Sequence, residues 1–327
     1  MPEEVVANIY RIKIPIPNNP LGTNNSYVVK GSEKNLIIDT GLNQKECLKA
    51  LQAGLKEVRV DLKEADFFIS HFHLDHIGLI VDLAIEAKKI YFNHPETDLI
   101  RSEINWNAFL DFALLNGFPD DEVLLALHDH PGFKFSSKKG HRIRGLSFHF
   151  LKQDDVINVG GYLFQCIETP GHSIGHMCLY EPNKKILISG DHILGNITPT
   201  IQLWSDEGDP LEQYLKSLDK IYGLDMELIL PGHGKIIRNP RGRIQELKDH
   251  HQIRLEEILS ILRKGRKTAF QVASQMSWDI PFDSWNLFPP LQKWFALGEA
   301  TAHLKYLKGK RKVRRQIKEQ KLIYSLA

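Results

Sequence analysis

Within the stretch Ser70-His71-Phe72-His73-Leu74-Asp75-His76, four side chains able to bind a metal ion fall inside six residues. The stretch follows directly on ADFFIS (65–70), a short apolar run that reads as a buried strand. His71 and His73 are two apart and can project to one side of an extended segment. Asp75 and His76 follow in the turn and can face a second point. One short stretch can therefore serve two adjacent metal ions, and the fold has to bring the ends of other strands to the same place.

Those other strand ends are recognisable. His172 sits in Thr169-Pro170-Gly171-His172, Asp191 in Ser189-Gly190-Asp191, and His233 in Pro231-Gly232-His233-Gly234. In each case a strand-like run precedes the candidate and a glycine adjoins it, so the backbone can turn the side chain inward. The expected ligand set is His71, His73, Asp75, His76, His172, Asp191 and His233. His176 and His192 flank candidates and read as supporting or structural groups. His94, His128, His130, His141, His149, His250, His251 and His303 stay unassigned, because an isolated loop histidine is more often a surface or core residue than a ligand.

Along the chain, NIYRIKIPIP, NSYVVKG and NLIIDTG read as strands, with turn residues at Asn18-Asn19-Pro20 and Gly31-Ser32 between them. KECLKALQAGLKE (45–57) has helical spacing, with Leu48, Leu51 and Leu55 on one stripe. Residues 95–145 read as a helical, aromatic-rich insertion. Strands return at 161–169, 176–182 and 185–191, the segment 211–223 is amphipathic, and MELILPGHG (226–234) is another strand ending in a histidine loop. Alternation of this kind predicts a layered α/β catalytic domain over residues 1–238. From residue 239 to 327 three helical segments precede RKVRRQIKEQKLIYSLA, which reads as a β-hairpin. Helix, helix, helix, hairpin is the order of a winged-helix unit.

Composition adds limits. Of the 327 residues, 42% are hydrophobic and 25% charged, values of a globular protein, and the net charge of +2 points to no particular partner. Cys47, Cys166 and Cys178 form neither a CxxC pair nor an even framework, which fits a reducing compartment and structural roles. The acidic start MPEEVVANIY and the lack of an 18-residue apolar run predict a cytoplasmic protein without a membrane span.

HFHLDH followed by TPGH, SGD and PGHG closely resembles the metallo-β-lactamase superfamily, over about residues 7–235 and including NLIIDTG with Asp39. The resemblance implies a four-layer αββα sandwich with the site along one edge of its two sheets. It implies that His71, His73 and His172 hold one metal ion and Asp75, His76 and His233 a second. Asp191 bridges the two, and Asp39 supports them from behind; Asp75 and Asp191 are the expected catalytic carboxylates. Mixed imidazole and carboxylate ligands suit zinc best, and iron or manganese nearly as well. Two such ions about 3.5–4 Å apart lower the pKa of a shared water, so that a bridging hydroxide can attack a carbonyl or phosphoryl centre.

Departures within the superfamily narrow the expectation. Dizinc β-lactamases typically carry Cys where this chain has Asp191, which points away from antibiotic hydrolysis and towards thioesterases, lactonases and nucleases. Flavodiiron proteins have Glu in place of the second motif histidine, whereas His73 is present here. The 191–233 interval is too short for the extra domain of RNA-processing nucleases. The segment GDHILGNITPTI lacks the Cys-Gly-Arg signature of glyoxalase II and looks more like the β-lactamase-like-2 group, which carries a C-terminal winged helix.

Two features bear on substrate. Trp106, Phe109, Phe112, Leu114, Leu115 and Phe118 have helical periodicity; they read first as packing for the insertion and second as an apolar wall suited to an acyl chain. Lys305, Lys308, Lys310, Arg311, Lys312, Arg314, Arg315, Lys318 and Lys321 form a basic run opposed only by Glu319. It reads first as a solvated face and second as a phosphate contact. The expected function is hydrolysis of a small thioester, ester or lactone. A metal-dependent single-strand endoribonuclease and a ligand-sensing winged-helix DNA-binding regulator are the competing readings. A homo-oligomer is compatible with all three.

Overall fold

The computed structural model describes residues 1–17, 19, 21–84, 87–102, 105–136 and 140–327. The expected turn residues Asn18 and Pro20, the insertion residues 103–104 and 137–139 and the side chain of His141 lie outside the described residues. The chain divides into two compact units. The first comprises 1–103, 139–199 and 217–244, and the second 104–138, 200–216 and 245–327.

The first unit is built on two sheets. Strands β1 (Glu3–Val6), β2 (Ile9–Pro15), β3 (Thr23–Val29), β4 (Asn35–Ile38), β5 (Ala65–Phe68), β6 (Ile90–Asn93) and β7 (His149–Leu151) lie side by side in chain order. β1 to β4 pair antiparallel, and β4 to β7 pair parallel. The second sheet has the order β12-β11-β10-β9-β8, from β8 (Val156–Val159), β9 (Tyr162–Glu168), β10 (Met177–Glu181), β11 (Ile186–Gly190) and β12 (Leu228–Pro231). Its one parallel pair is β11 with β12.

The side-chain pattern explains how the sheets meet. In β9, Tyr162, Phe164 and Cys166 are buried while Leu163 and Gln165 face outward, the two-residue alternation of a half-covered strand. These inward residues join Ile157, Val159, Leu179, Ile188 and Leu230 of their own sheet and Ile9, Tyr27, Val29, Leu36, Ile38 and Phe68 of the other in one apolar core. β4 (NLII) and β5 (ADFF) are buried throughout, as strands covered on both faces are. Against the other face of the first sheet lies the helix Lys45–Glu57. It buries Cys47, Leu51 and Leu55, so its stripe starts at Cys47 and leaves Leu48 half-buried. All three cysteines are free and buried.

β1, β6, β7 and β8 are not evident as strands in the sequence. β1 and β7 are the edges of their sheet, and at four and three residues they carry little periodicity.

In the second unit, helices Trp106–Leu115, Asp120–Asp129 and Pro131–Ser136 belong with the C-terminal helices Ala269–Ala273 and Pro290–Gly309 and the hairpin β13 (Val313–Lys318) and β14 (Lys321–Leu326). Trp294 is buried and stacks on Trp204 with ring centroids 4.4 Å apart, and Phe118 packs edge-on against Phe270 and Trp294. Tyr324 Oη donates to Asn116 Oδ1 at 3.1 Å, and Lys293 Nζ meets both oxygens of Glu122 at 2.8 and 2.7 Å. Phe118 is therefore a core residue, whereas Trp106, Phe109 and Phe112 are half-buried. Among the described residues no helix is long and apolar enough to cross a membrane.

Candidate metal centre

The ends of β4, β5, β9, β11 and β12 come together at one end of the two sheets and deliver Asp39, the 70–76 loop, His172, Asp191 and His233 to one place. Parallel strands favour such a crevice, because their carboxyl ends all open on the same side. All seven predicted ligands are brought together. His71, His73 and His172 form one group able to hold a metal ion and Asp75, His76 and His233 a second, while Asp191 joins His71 and His76 in a third.

In the first group, His73 Nδ1 lies 2.9 Å from His71 Nε2 and 3.0 Å from His172 Nε2. Nitrogens held tetrahedrally at about 2.0–2.1 Å from one cation stand roughly 3.3 Å apart, close to this spacing. In the second, His233 Nε2 is 3.3 Å from His76 Nε2 and 3.2 Å from Asp75 Oδ2. Asp191 Oδ2 stands between the groups, 3.3 Å from His233 Nε2, 3.4 Å from His76 Nε2 and 3.7 Å from His172 Nε2. The other oxygen, Oδ1, is buried and makes no hydrogen bond among the described residues. A buried carboxylate oxygen without a partner is costly. A cation bound to that carboxylate removes the cost, so the residues present fit a metal ion.

The supporting hydrogen bonds fix which ring nitrogens face inward. Asp39 can only accept, so Ser70 donates to it through both N–H and hydroxyl at 2.8 Å. The Ser70 oxygen is then left to accept from His71 Nδ1–H at 2.9 Å, which turns the lone pair of Nε2 to the cluster. His76 Nδ1–H donates to Asp39 Oδ2 at 2.8 Å and His233 Nδ1–H to the Thr23 carbonyl at 3.0 Å, with the same result. The predicted support His176 accepts the Asp191 N–H on Nε2 at 3.1 Å and holds Thr169 Oγ1 through Nδ1 at 2.8 Å.

Two glycines are required by close approach. At Gly190, in the left-handed region at φ 48°, a Cβ would stand 2.7 Å from His176 Nε2. A Cβ at Gly232 would collide with Asp191 Oδ1 and stand 2.9 Å from His76 Cε1.

Burial and charge separate the groups electrostatically. Burial, reinforced by the neighbouring imidazoles, pulls His71 well below the ordinary histidine range and His73 down to about 3, so both are neutral lone-pair donors near pH 7. For His233, burial pulls down but is outweighed by the Asp191 charge and the hydrogen bonds to Asp191 and Asp75, which push it up to about 10. His76 rises likewise: burial opposes, and the charges of Asp191, Asp39 and Asp75 prevail. Burial works against the Asp191 charge too, yet His233 and His76 hold that carboxyl well below its usual range. Without metal, the second group is thus an imidazolium–carboxylate cluster. His73, His172 and Asp75 are only partly buried, and they mark the open side.

Ser70, Thr23 and Asn24 also support the site, and no motif marks them in the sequence. Asn24 is fully buried, donates through Nδ2 to the Asp75 carbonyl and pairs with His233 across a β-bridge. Its only sequence signal is an Asn-Asn pair at the start of a strand.

The basic C-terminal run is largely engaged within its own unit. Arg315 forms a two-pronged pair with Asp206 at 2.5 and 2.8 Å, Lys310 reaches Glu212 at 3.3 Å, and Lys318 Nζ lies 3.6 Å from Glu319. Lys305, Arg314 and Lys321 donate to the carbonyls of Asp206, Leu326 and Leu114.

Comparison with known proteins agrees with this geometry. The sequence profile of the Metallo-beta-lactamase superfamily matches residues 19–233. A probable metallo-hydrolase of Bacillus subtilis (strain 168) is 29% identical over 284 residues, covering 84% of this chain and 85% of the relative. An atrochrysone carboxyl ACP thioesterase of Aspergillus fumigatus is 25% identical over 241 residues, 73% of this chain and 59% of the relative. The crystal structure of a metallo-beta-lactamase family protein from Thermus thermophilus superposes with a TM-score of 0.83 at 27% identity, over 99% of this chain and 100% of that one.

Proposed function

The chain belongs to the metallo-β-lactamase superfamily and is a hydrolase, and from that premise we propose that it uses two divalent metal ions to cleave a small acyl thioester, ester or lactone. The observation that carries the reading is Asp191 Oδ2, one carboxylate oxygen within 3.3–3.7 Å of ring nitrogens from both groups. In this reading His71, His73 and His172 hold the first ion, Asp75, His76 and His233 the second, and Asp191 both. Zinc suits the donor set best, and iron or manganese are the alternatives.

Bound there, such ions supply Lewis acidity and lower the pKa of water towards neutrality. The protein's own groups do the rest. Asp39 orients His76 directly and His71 through Ser70, and His176 pins the backbone of Asp191. The partly exposed edge formed by His73, His172 and Asp75 admits the acyl carbonyl. A four-layer αββα arrangement over residues 1–238, with the insertion at 95–145, and a winged-helix-like unit over 239–327 go with this proposal.

The acyl preference draws support from the thioesterase relative and from an aspartate at position 191, where dizinc β-lactamases typically carry cysteine. The engagement of six of the basic residues inside their own unit gives the ribonuclease and regulator readings less to stand on. The test is metal analysis of the purified protein together with a panel of acyl thioesters, lactones, phosphodiesters and single-stranded RNA. About two metal ions per chain and chelator-sensitive cleavage of acyl substrates are expected. Cleavage confined to RNA, or full activity after metal removal, overturns the reading.

A further inference from the structure

We propose that Glu96 is a positioning residue for the His71, His73 and His172 ligand set, because its carboxylate ties together the two loops that carry them. The inference rests on the reading that these histidines hold a metal ion. Glu96 lies in the first turn of the helix His94–Arg101 and is 0% exposed. Its Oε2 accepts the N–H of Phe72, the residue between His71 and His73, at 3.0 Å. Its Oε1 accepts the hydroxyl of Ser173, the residue after His172, at 2.5 Å and the N–H of Gly175 at 2.7 Å.

A buried carboxylate needs a cation or a full set of donors. Glu96 has no ion pair among the described residues, and its donors are two backbone N–H groups and one hydroxyl, all on the ligand loops. The helix holds the residue rigidly: Asn93 Oδ1 caps it through the Glu96 N–H at 3.0 Å, and Thr97 Oγ1 donates to the Asn93 carbonyl at 2.8 Å. The Asn93 side chain also packs on Gly175, where a Cβ would stand 2.5 Å from Asn93 Oδ1. Loss of hydration outweighs the three donors and pushes the Glu96 carboxyl up to about 7, so the fold retains a group that burial disfavours. Holding the loops in register is what this group does for the ligand set. The distance between His172 and the His71–His73 pair depends on both loops, and one side chain fixes them to each other.

The test compares wild type, Glu96→Gln and Ser173→Ala by chelator-competition titration and by the absorption bands of the cobalt(II)-substituted proteins. In Glu96→Gln the amide oxygen keeps Ser173 and Gly175, while the amide N–H₂ meets the Phe72 N–H donor to donor. The expected result is affinity roughly 10–100-fold weaker at one of the two metal sites, with shifted cobalt bands, as when a group that orients a ligand is removed. The other site should hold within about twofold. If Glu96→Gln is insoluble, Ser173→Ala reads the same clamp, and a weakening confined to the same site is expected.

Unchanged affinities and cobalt bands in a folded variant, with only the melting temperature of the metal-free protein lowered, mean a purely structural residue and overturn the inference. A wild-type chain that binds no metal overturns the functional reading and this inference with it. Two ions bound equally by wild type and variants overturn this inference alone.

Discussion

Asp39 Oδ2 accepts His76 Nδ1–H at 2.8 Å and, at the same distance, the hydroxyl of Ser70 that in turn orients His71. One carboxylate therefore sets the tautomer of a histidine in each ligand group. Asp39→Ala is expected to weaken binding at both metal sites by roughly 10–100-fold, whereas Ser70→Ala should affect mainly the site containing His71. Calorimetric titration of the metal-free variants separates the two, and equal losses in both variants would contradict the network.

Asp191→Ala removes the oxygen that stands between the groups. The variant is expected to lose both metal ions on dialysis and activity with them, while Asp75→Ala should lose chiefly the ion of the His76–His233 group. Elemental analysis of the dialysed proteins decides this. Two ions and normal turnover in Asp191→Ala would refute the assignment.

Gly232→Ala tests the packing behind that carboxylate. The added methyl meets Asp191 Oδ1 and the His76 ring, and overpacking of this kind costs about 1–3 kcal/mol. A lower melting temperature with weakened metal binding is expected. Wild-type metal content and stability would show that the loop gives way freely.

Proton release on metal binding should differ between the groups. His73, at about 3, carries no proton near pH 7, whereas His233, raised to about 10, does. A cation entering the second group must displace that proton, so affinity there should rise with pH between about 6.5 and 10, by up to tenfold per unit for each proton displaced. Affinity at the first group should change little over that range. Titration in buffers of different ionisation enthalpy counts the protons, and equal release from both sites would rule the difference out.

Lys293 and Glu122 form a doubly hydrogen-bonded pair whose side chains are 8% and 27% exposed. Breaking a fully buried pair costs about 3–5 kcal/mol, and the partial exposure of Glu122 brings the expectation for Lys293→Met nearer ~2 kcal/mol. Denaturant melts measure it; a change below about 0.5 kcal/mol would show that the pair contributes little.

Residues close in sequence declare their chemistry by themselves. HFHLDH announces ligands because its donors are neighbours, and the strand–Gly–ligand pattern at His172, Asp191 and His233 repeats one local device. The strands that carry them are apolar enough to be recognised alone. The contacts that orient those ligands are not legible in this way. Glu96 reads as an ordinary acid in the first turn of a helix, and nothing near it in the chain says that it will be buried against Phe72 and Ser173. Asn24 meets His233 across more than two hundred residues, and segments 104–138, 200–216 and 245–327 form one unit although the chain separates them. Ligand identity is a property of side-chain chemistry, which sequence carries. Orientation depends on which loops a closed fold brings within hydrogen-bonding distance, and only the tertiary structure decides that.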